Sequence, residues 1–226
     1  MSKPNINLKK EQAATLARPP YSYSLAARFF FAAMDVVTGK EGSLPKARLL
    51  EILASIPYRE WEFRQYTRMT RGYQDSKLVE WAGQVVDWGR EAQDNEYWHL
   101  LVINEKMKAD GIKVPWYLSP SVNFLIVLSY VIFARLLAFF NIRRAFLFNA
   151  EFEDHAEHVY AQLVADHPEW EDQTVDTPIV MEYGNLATWA DVFRRISLDE
   201  RDHRNNSFVF YGAPEQVIEY EGMPEG

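Results

Sequence analysis

Apolar positions recur along this chain at spacings of three and four, the period of an amphipathic helix. Alternation of the strand type is scarce. The pattern predicts six helices, over about 22–38, 44–72, 77–108, 120–142, 144–167 and 186–208. Ser43 and Pro45 supply a capped start for the second. Pro57 is expected to kink or break that helix. Gly39, Asp110-Gly111 and Pro168 read as helix stops, and the acidic, proline-containing segment 168–184 as a loop. The organisation expected is an N-terminal arm over 1–20, one helical domain over 21–210 and a C-terminal tail over 211–226, acidic and frayed from Glu215 onward. No apolar run precedes Tyr21, so the start reads as neither a secretory signal nor a transit peptide.

The fourth helix differs from the others. From Val114 to Ala134 no ionisable side chain occurs for 21 residues, and no polar face interrupts the apolar ones. By length it suits a transmembrane span, a buried core helix or a helix half-sunk in one leaflet, and the third is preferred. The aromatic first helix, with Phe29, Phe30 and Phe31, offers a second interfacial contact in which Arg28 reaches for headgroups.

The polar residues placed on inward-facing stripes carry the chemistry. In the third helix the stripe Trp81, Val85, Trp88, Ala92, Asn95, His99, Val102 contains His99, with Glu96 three residues before it. In the sixth, Trp189, Phe193, Ile196, Glu200, His203 and Ser207 form one stripe. Glu153 lies on the stripe of the fifth helix between Ala150 and Tyr160, and Glu51 is surrounded by apolar neighbours in the second. Four helices thus bring acid, or acid plus histidine, to a core. Buried carboxylates cost several kcal/mol each unless compensated. A pair of divalent metal ions compensates them. Two Glu-x-x-His pairs plus one Glu from each of two further helices is the ligand set of di-iron carboxylate bundles, in which open positions remain for dioxygen. Zinc or manganese in the same cage, and solvated acid–base pairs on helix faces, are the alternatives.

Composition narrows the classes. The 226 residues include no cysteine, which excludes disulfides, zinc fingers and thiolate clusters and leaves His, Asp and Glu as metal ligands. A net charge of −8, from 24 Lys+Arg against 32 Asp+Glu, argues against a nucleic-acid partner. Among the remaining polar residues, Asn95 and Asp199 adjoin ligands and suit the orienting of imidazoles. His155 suits an orienting or substrate-site role, His158 a solvated position, and His167 a helix-end cation. Tyr160, two turns beyond Glu153, is placed to pass an electron and a proton to oxygen chemistry, or else is a buried tyrosine with a satisfied hydroxyl.

At these residues the sequence resembles the alternative oxidase family, the membrane-bound di-iron quinol oxidases. The resemblance rests on Leu49-Leu50-Glu51, the segment Glu91 to Leu100, Glu153-Asp154-His155-Ala156 and Asp199-Glu200-Arg201-Asp202-His203. The stretches 51–58 and 153–156 are most similar to the plastid terminal oxidase (plastoquinol oxidase) branch. The resemblance spans roughly residues 20–208. It implies a ferritin-like, all-α four-helix bundle of six helices, two of them interfacial, in a monotopic homodimer on a bacterial or cyanobacterial plasma or thylakoid membrane, facing the cytoplasm. It implies oxidation of ubiquinol or plastoquinol and reduction of dioxygen to water without proton pumping. Two iron ions would be bound by Glu51, Glu96, His99, Glu153, Glu200 and His203, with Tyr160 catalytic. The quinol pocket would involve Leu50, Phe152, Ala156 and Arg28, with Lys46 standing where the family has arginine. Ile52 and Val159 replace family threonines, and Glu182-Tyr183 replaces an aromatic pair, leaving Tyr183 beside the site. A di-iron monooxygenase acting on a quinone or another lipophilic substrate is the alternative.

Overall fold

The computed structural model describes residues 6–223. They form eight α-helices: α1 (Leu8–Ala17), α2 (Leu25–Thr38), α3 (Leu44–Arg71), α4 (Ser76–Ala109), α5 (Pro120–Phe140), α6 (Ile142–Asp166), α7 (Pro178–Tyr183) and α8 (Trp189–Tyr211). An isolated bridge between Thr174 and Thr188 is the extent of β-pairing among the described residues.

Local chemistry sets the helix ends. The side chains of Ser24, Ser43, Asp75, Asn141 and Thr188 each accept a hydrogen bond from a backbone N–H in the first turn of the helix that follows. Gly212 ends α8 at φ 95°, and a Cβ there would meet the Arg143 guanidinium at 2.8 Å. Glycine is favoured by the left-handed conformation, while the Arg143 side chain can shift aside.

Packing is most extensive between α3 and α4 and between α6 and α8; contacts of α3 with α6 and α4 with α8 join these pairs into a four-helix bundle. α1 lies on α8 and α6, α2 on α6, and α5 across α3 and α6. Three apolar clusters pack among these helices. One contains Leu44, Val102, Leu163, Trp170 and Phe193; another contains Leu50, Leu53, Tyr130, Phe148 and Phe152; a third contains Tyr58, Trp61, Val85 and Phe146.

Several expectations are corrected. α3 runs unbroken through Pro57. That ring is buried and lines a small cavity with Trp61, Tyr130, Ala134 and Phe148, so burial of the α3–α5 face offsets the lost backbone hydrogen bond. Residues 8–17 of the arm form a helix that apolar periodicity could not reveal, because its inner face is polar. Glu11 and Thr15 are buried against Arg201, whose guanidinium also reaches Glu157. The segment 168–184 contains α7. The tail is pinned rather than frayed as far as Tyr220. Asn205 exchanges two hydrogen bonds with the backbone of Ile218, Arg204 donates to the Gln216 carbonyl, and Tyr220 donates to Asp202.

Of the two helices expected at a membrane, one has the length and composition for it. α5 has 21 residues, about 32 Å of helix. It buries Tyr130, Ala134 and Ala138 and leaves Phe124, Leu125, Ile132, Leu136, Phe139 and Phe140 exposed. α2, with 14 residues, is too short for a span, though Leu25, Phe29 and Val36 are exposed on it.

Candidate metal centre

α3, α4, α6 and α8 converge on six buried side chains. The i, i+3 spacing on α4 sets Glu96 beside His99, and the same spacing on α8 sets Glu200 beside His203. Glu51 comes from α3 and Glu153 from α6. All six are buried, so solvated helix-face pairs are excluded. They fall into two groups, Glu51–Glu96–His99–Glu200 and Glu96–Glu153–Glu200–His203, in each of which one donor atom per residue lies within 4.8 Å of the others. These are two clusters with the geometry of a di-iron carboxylate site, and they share Glu96 and Glu200.

The sharing is visible atom by atom. Glu96 turns Oε1 to within 2.9 Å of His203 Nδ1 and Oε2 to 3.6 Å from His99 Nδ1. Glu200 turns Oε1 to 3.1 Å from His99 Nδ1 and Oε2 to 3.5 Å from His203 Nδ1. Each of these carboxylates therefore directs one oxygen toward each imidazole, the disposition of a bridging ligand. The other two are terminal, with Glu51 Oε2 at 3.2 Å from His99 Nδ1.

Whether the residues fit metal ions is tested by their unsatisfied atoms. Both oxygens of Glu96, both of Glu200, Glu153 Oε2 and His203 Nδ1 are buried without a hydrogen-bond partner. The 2.9 Å approach of Glu96 to His203 is short but lacks hydrogen-bond geometry, as when two lone pairs point at a common centre. Six orphaned polar atoms in one bundle core would each cost on the order of 1–3 kcal/mol or more. Two divalent cations balance the four carboxylate charges and give every one of these atoms a partner. The residues fit. Oxygen and imidazole donors without thiolate suit iron or manganese.

Electrostatics within the metal-free cluster agree. Burial, then repulsion from Glu200 and Glu96, pushes the Glu51 carboxyl well above its ordinary range. Glu153 is pushed up by burial and by Glu96 and Glu200. Burial opposes charge on Glu96, yet His203 and His99 hold it below the usual range. Burial likewise works against protonating His99, but Tyr183, Asp199 and the facing glutamates raise it well above an ordinary imidazole.

Around the ligands the structure places Asp199 Oδ2 3.3 Å from His99 Nε2, on the side of the ring away from the glutamates. Tyr183 donates to that same oxygen, and Arg195 donates to Asp199 Oδ1. Tyr160 donates its hydroxyl to Glu51 Oε1. Three further residues were missed from sequence. Tyr58 donates to Glu153 Oε1 at 2.9 Å, Asn149 donates to the same oxygen at 3.0 Å, and Arg195 fixes Asp199. Their signal was register: Tyr58 is seven after Glu51, Asn149 four before Glu153, and Arg195 four before Asp199.

Other expected residues lie elsewhere. Asn95 is half-buried and hydrogen-bonds to no ligand among the described residues; the buried line on α4 runs through Ala92, Glu96, His99 and Ile103, turning Asn95 aside. His155 stacks on Phe31 at 4.2 Å, outside both clusters. His158, expected to be solvated, is instead half-buried between the carbonyls of Asp154 and Arg18. His167 stacks on Trp170 at 4.6 Å. Lys46 is buried, its ammonium donating to Asp35 and the Gly39 carbonyl. Arg28 is exposed on α2. Leu50, Phe152 and Ala156 are buried, the first two in the apolar cluster that includes the inner face of α5.

No family model matches the chain, and no curated protein is similar to it. The resemblance to quinol oxidases therefore rests on the four motifs alone. What stands on geometry is an all-α chain whose core carries two buried Glu/His clusters of the ferritin-like di-iron type, with the donors of a metal-dependent oxidoreductase.

Proposed function

We propose that this protein is a membrane-associated di-iron quinol oxidase, in which Glu51, Glu96, His99, Glu153, Glu200 and His203 hold two irons. One observation carries the step from metal centre to lipid-borne substrate. Leu50 and Phe152, which precede two of the glutamates, belong to the apolar cluster that continues onto α5. α5 in turn exposes a run of large apolar side chains. A hydrophobic quinol embedded in a leaflet thus has a continuous apolar surface toward the ligands. Monotopic attachment through α5, with α2 alongside, and a homodimer complete the reading suggested by the motifs.

Bound iron supplies the redox steps and the open positions for dioxygen. The chain supplies the rest. Tyr160 keeps its phenolic proton at neutral pH, because burial and then the Glu51 charge push its hydroxyl well above the ordinary range. The proton is held at Tyr160 Oη, directed at Glu51 Oε1, in position to be given up together with an electron. Asp199, fixed by Tyr183 and Arg195, orients His99. Leu50, Phe152 and Ala156 exclude water; Arg28 lies exposed in the first turn of α2, and the Lys46–Asp35 pair joins the other end of α2 to the start of α3. Two quinols give four electrons and four protons, which with one dioxygen make two waters.

Oxygen uptake by membranes or detergent-purified protein, supplied with ubiquinol or plastoquinol analogues beside a Glu200→Ala variant, tests this. Quinol-dependent uptake with water as product, lost in the variant, supports an oxidase. Oxygen incorporated into the organic product would replace it with a monooxygenase.

A further inference from the structure

Both terminal glutamates carry a tyrosine. Tyr160 donates to Glu51 and Tyr58 to Glu153. The reading above uses Tyr160 alone, yet the surroundings of the two phenols differ in a way that bears on electron movement. Beyond Tyr160 the next ring is Phe193 at 6.2 Å, followed by Trp170 at 4.6 Å. Phenylalanine is not oxidised under physiological conditions. Lys106 Nζ, itself buried, lies 5.1 Å from the Trp170 ring and 5.4 Å from that of Trp189. Asp110 Oδ1, 2.7 Å from that ammonium, offsets its charge, so what sets this arm apart is the intervening Phe193 ring, which cannot take the hole.

The Tyr58 arm is open. Its ring lies 5.1 Å from Trp61 and 5.6 Å from Trp88, and these two indoles stack at 5.2 Å with an interplanar angle of 26°. Among the described residues no lysine or arginine lies over either ring. Tyr58 and Trp61 are buried, whereas Trp88, sandwiched between Trp61 and, at 4.8 Å, Phe210, is half-buried on α4, so the stack runs from a metal-ligand contact to a partly exposed ring edge. It also stops there: the next indole on that face, Trp81, carries the Arg68 guanidinium at 4.9 Å. Trp88 Nε1 is buried without an acceptor. Once oxidised, this ring has nowhere to send its N–H proton and stays a radical cation, which readily takes an electron back.

We propose that Tyr58, Trp61 and Trp88 form a one-electron conduit from the metal centre to the outer surface of α4, through which a small water-soluble reductant of the ascorbate class supplies electrons when quinol is absent. The inference rests on the di-iron reading. With iron bound and oxidised, Tyr58 would give up one electron and pass its phenolic proton to Glu153 Oε1, to which it already donates. The Trp61–Trp88 pair returns an electron to Tyr58, and Glu153 returns the proton. Ascorbate then reduces the indole radical cation and releases its own proton to water. The sum is one electron moved from ascorbate to the centre, with every side chain restored.

The experiment uses full-length protein loaded anaerobically with ferrous iron, mixed with dioxygen without quinol and freeze-quenched for electron paramagnetic resonance. A tryptophan-radical signal is expected in the wild type, with ascorbate hastening its decay. Trp61→Phe and Trp88→Phe should lose that signal and leave a tyrosyl radical, and Tyr58→Phe should lose the tryptophan signal. Trp88→Tyr, which keeps an oxidisable ring, should keep the ascorbate-dependent decay, a result that a merely structural role for Trp88 does not give. Circular dichroism and iron content establish that each variant is folded and loaded. Peptide mass spectrometry after repeated turnover should find oxidation at Trp88 and not at Trp170 or Trp189. Persistence of the tryptophan signal in both phenylalanine variants, or oxidation concentrated at Trp170 and Trp189, overturns the conduit. Protein that binds two irons and consumes dioxygen without a tryptophan radical overturns the conduit alone. Protein that binds no iron overturns the di-iron reading with it.

Discussion

Asp199 holds the ring of His99 from behind: its Oδ2 lies 3.3 Å from Nε2, while Nδ1 faces three glutamates. A carboxylate in that position fixes which nitrogen is free to bind metal and which way the ring points. Asp199→Asn should weaken iron affinity about 10–100-fold with little change in fold. Tyr183→Phe, which removes one donor to Asp199, should have a smaller effect of the same sign. Metal titration calorimetry beside circular dichroism checks both.

The division of ligands predicts a pattern of stoichiometry. Because Glu96 and Glu200 serve both clusters, Glu96→Ala or Glu200→Ala should lose both metals. Glu51→Ala or Glu153→Ala should impair one site and leave the other. Metal analysis after desalting reads the difference; equal losses in all four variants would contradict the sharing.

Glu153→Gln should also stabilise the metal-free protein. It removes a carboxyl whose charge is opposed by burial and by Glu96 and Glu200 and whose Oε2 has no partner, and such a removal is worth about 1–3 kcal/mol. In metal-loaded protein the order should invert, since a ligand is lost. Thermal unfolding with and without metal reads both signs.

Arg201 fastens α1 through Glu11, Thr15 and Glu157, all buried. Arg201→Ala leaves Glu11 without its cation and Glu157 with Arg18 alone, and should cost about 3–5 kcal/mol. Arg201→Met with Glu11→Gln, which leaves the Glu157–Arg18 pair in place, should recover much of that loss. Urea unfolding measures both.

His155 gives a pH dependence. Burial first, then the Lys46 charge, lowers its imidazole to about 4. An unfolded chain binds that proton near pH 6.5, so between these values the unfolded state holds more protons and stability rises with pH. The contribution is complete above pH 6.5 and falls away in acid, by about 2 kcal/mol at pH 5. His155→Phe should flatten this part of the profile when unfolding of the metal-free protein is followed at pH 5 and pH 7.5.

The sequence by itself determined the all-α class, the five long helices that carry the site and its cover, and the ligand-bearing positions on them. Helical periodicity is a local property, and a glutamate or histidine on an apolar stripe is conspicuous because burying it is costly. Only the tertiary structure decided that Glu96 and Glu200 each face both histidines, that Tyr58 and Asn149 close on Glu153, and that α1 and the tail lie against α8. These contacts join residues far apart in the chain, and they are made by polar groups and backbone. Hydrogen bonds between such groups follow from where helices cross, and they leave no periodic trace in the order of the residues.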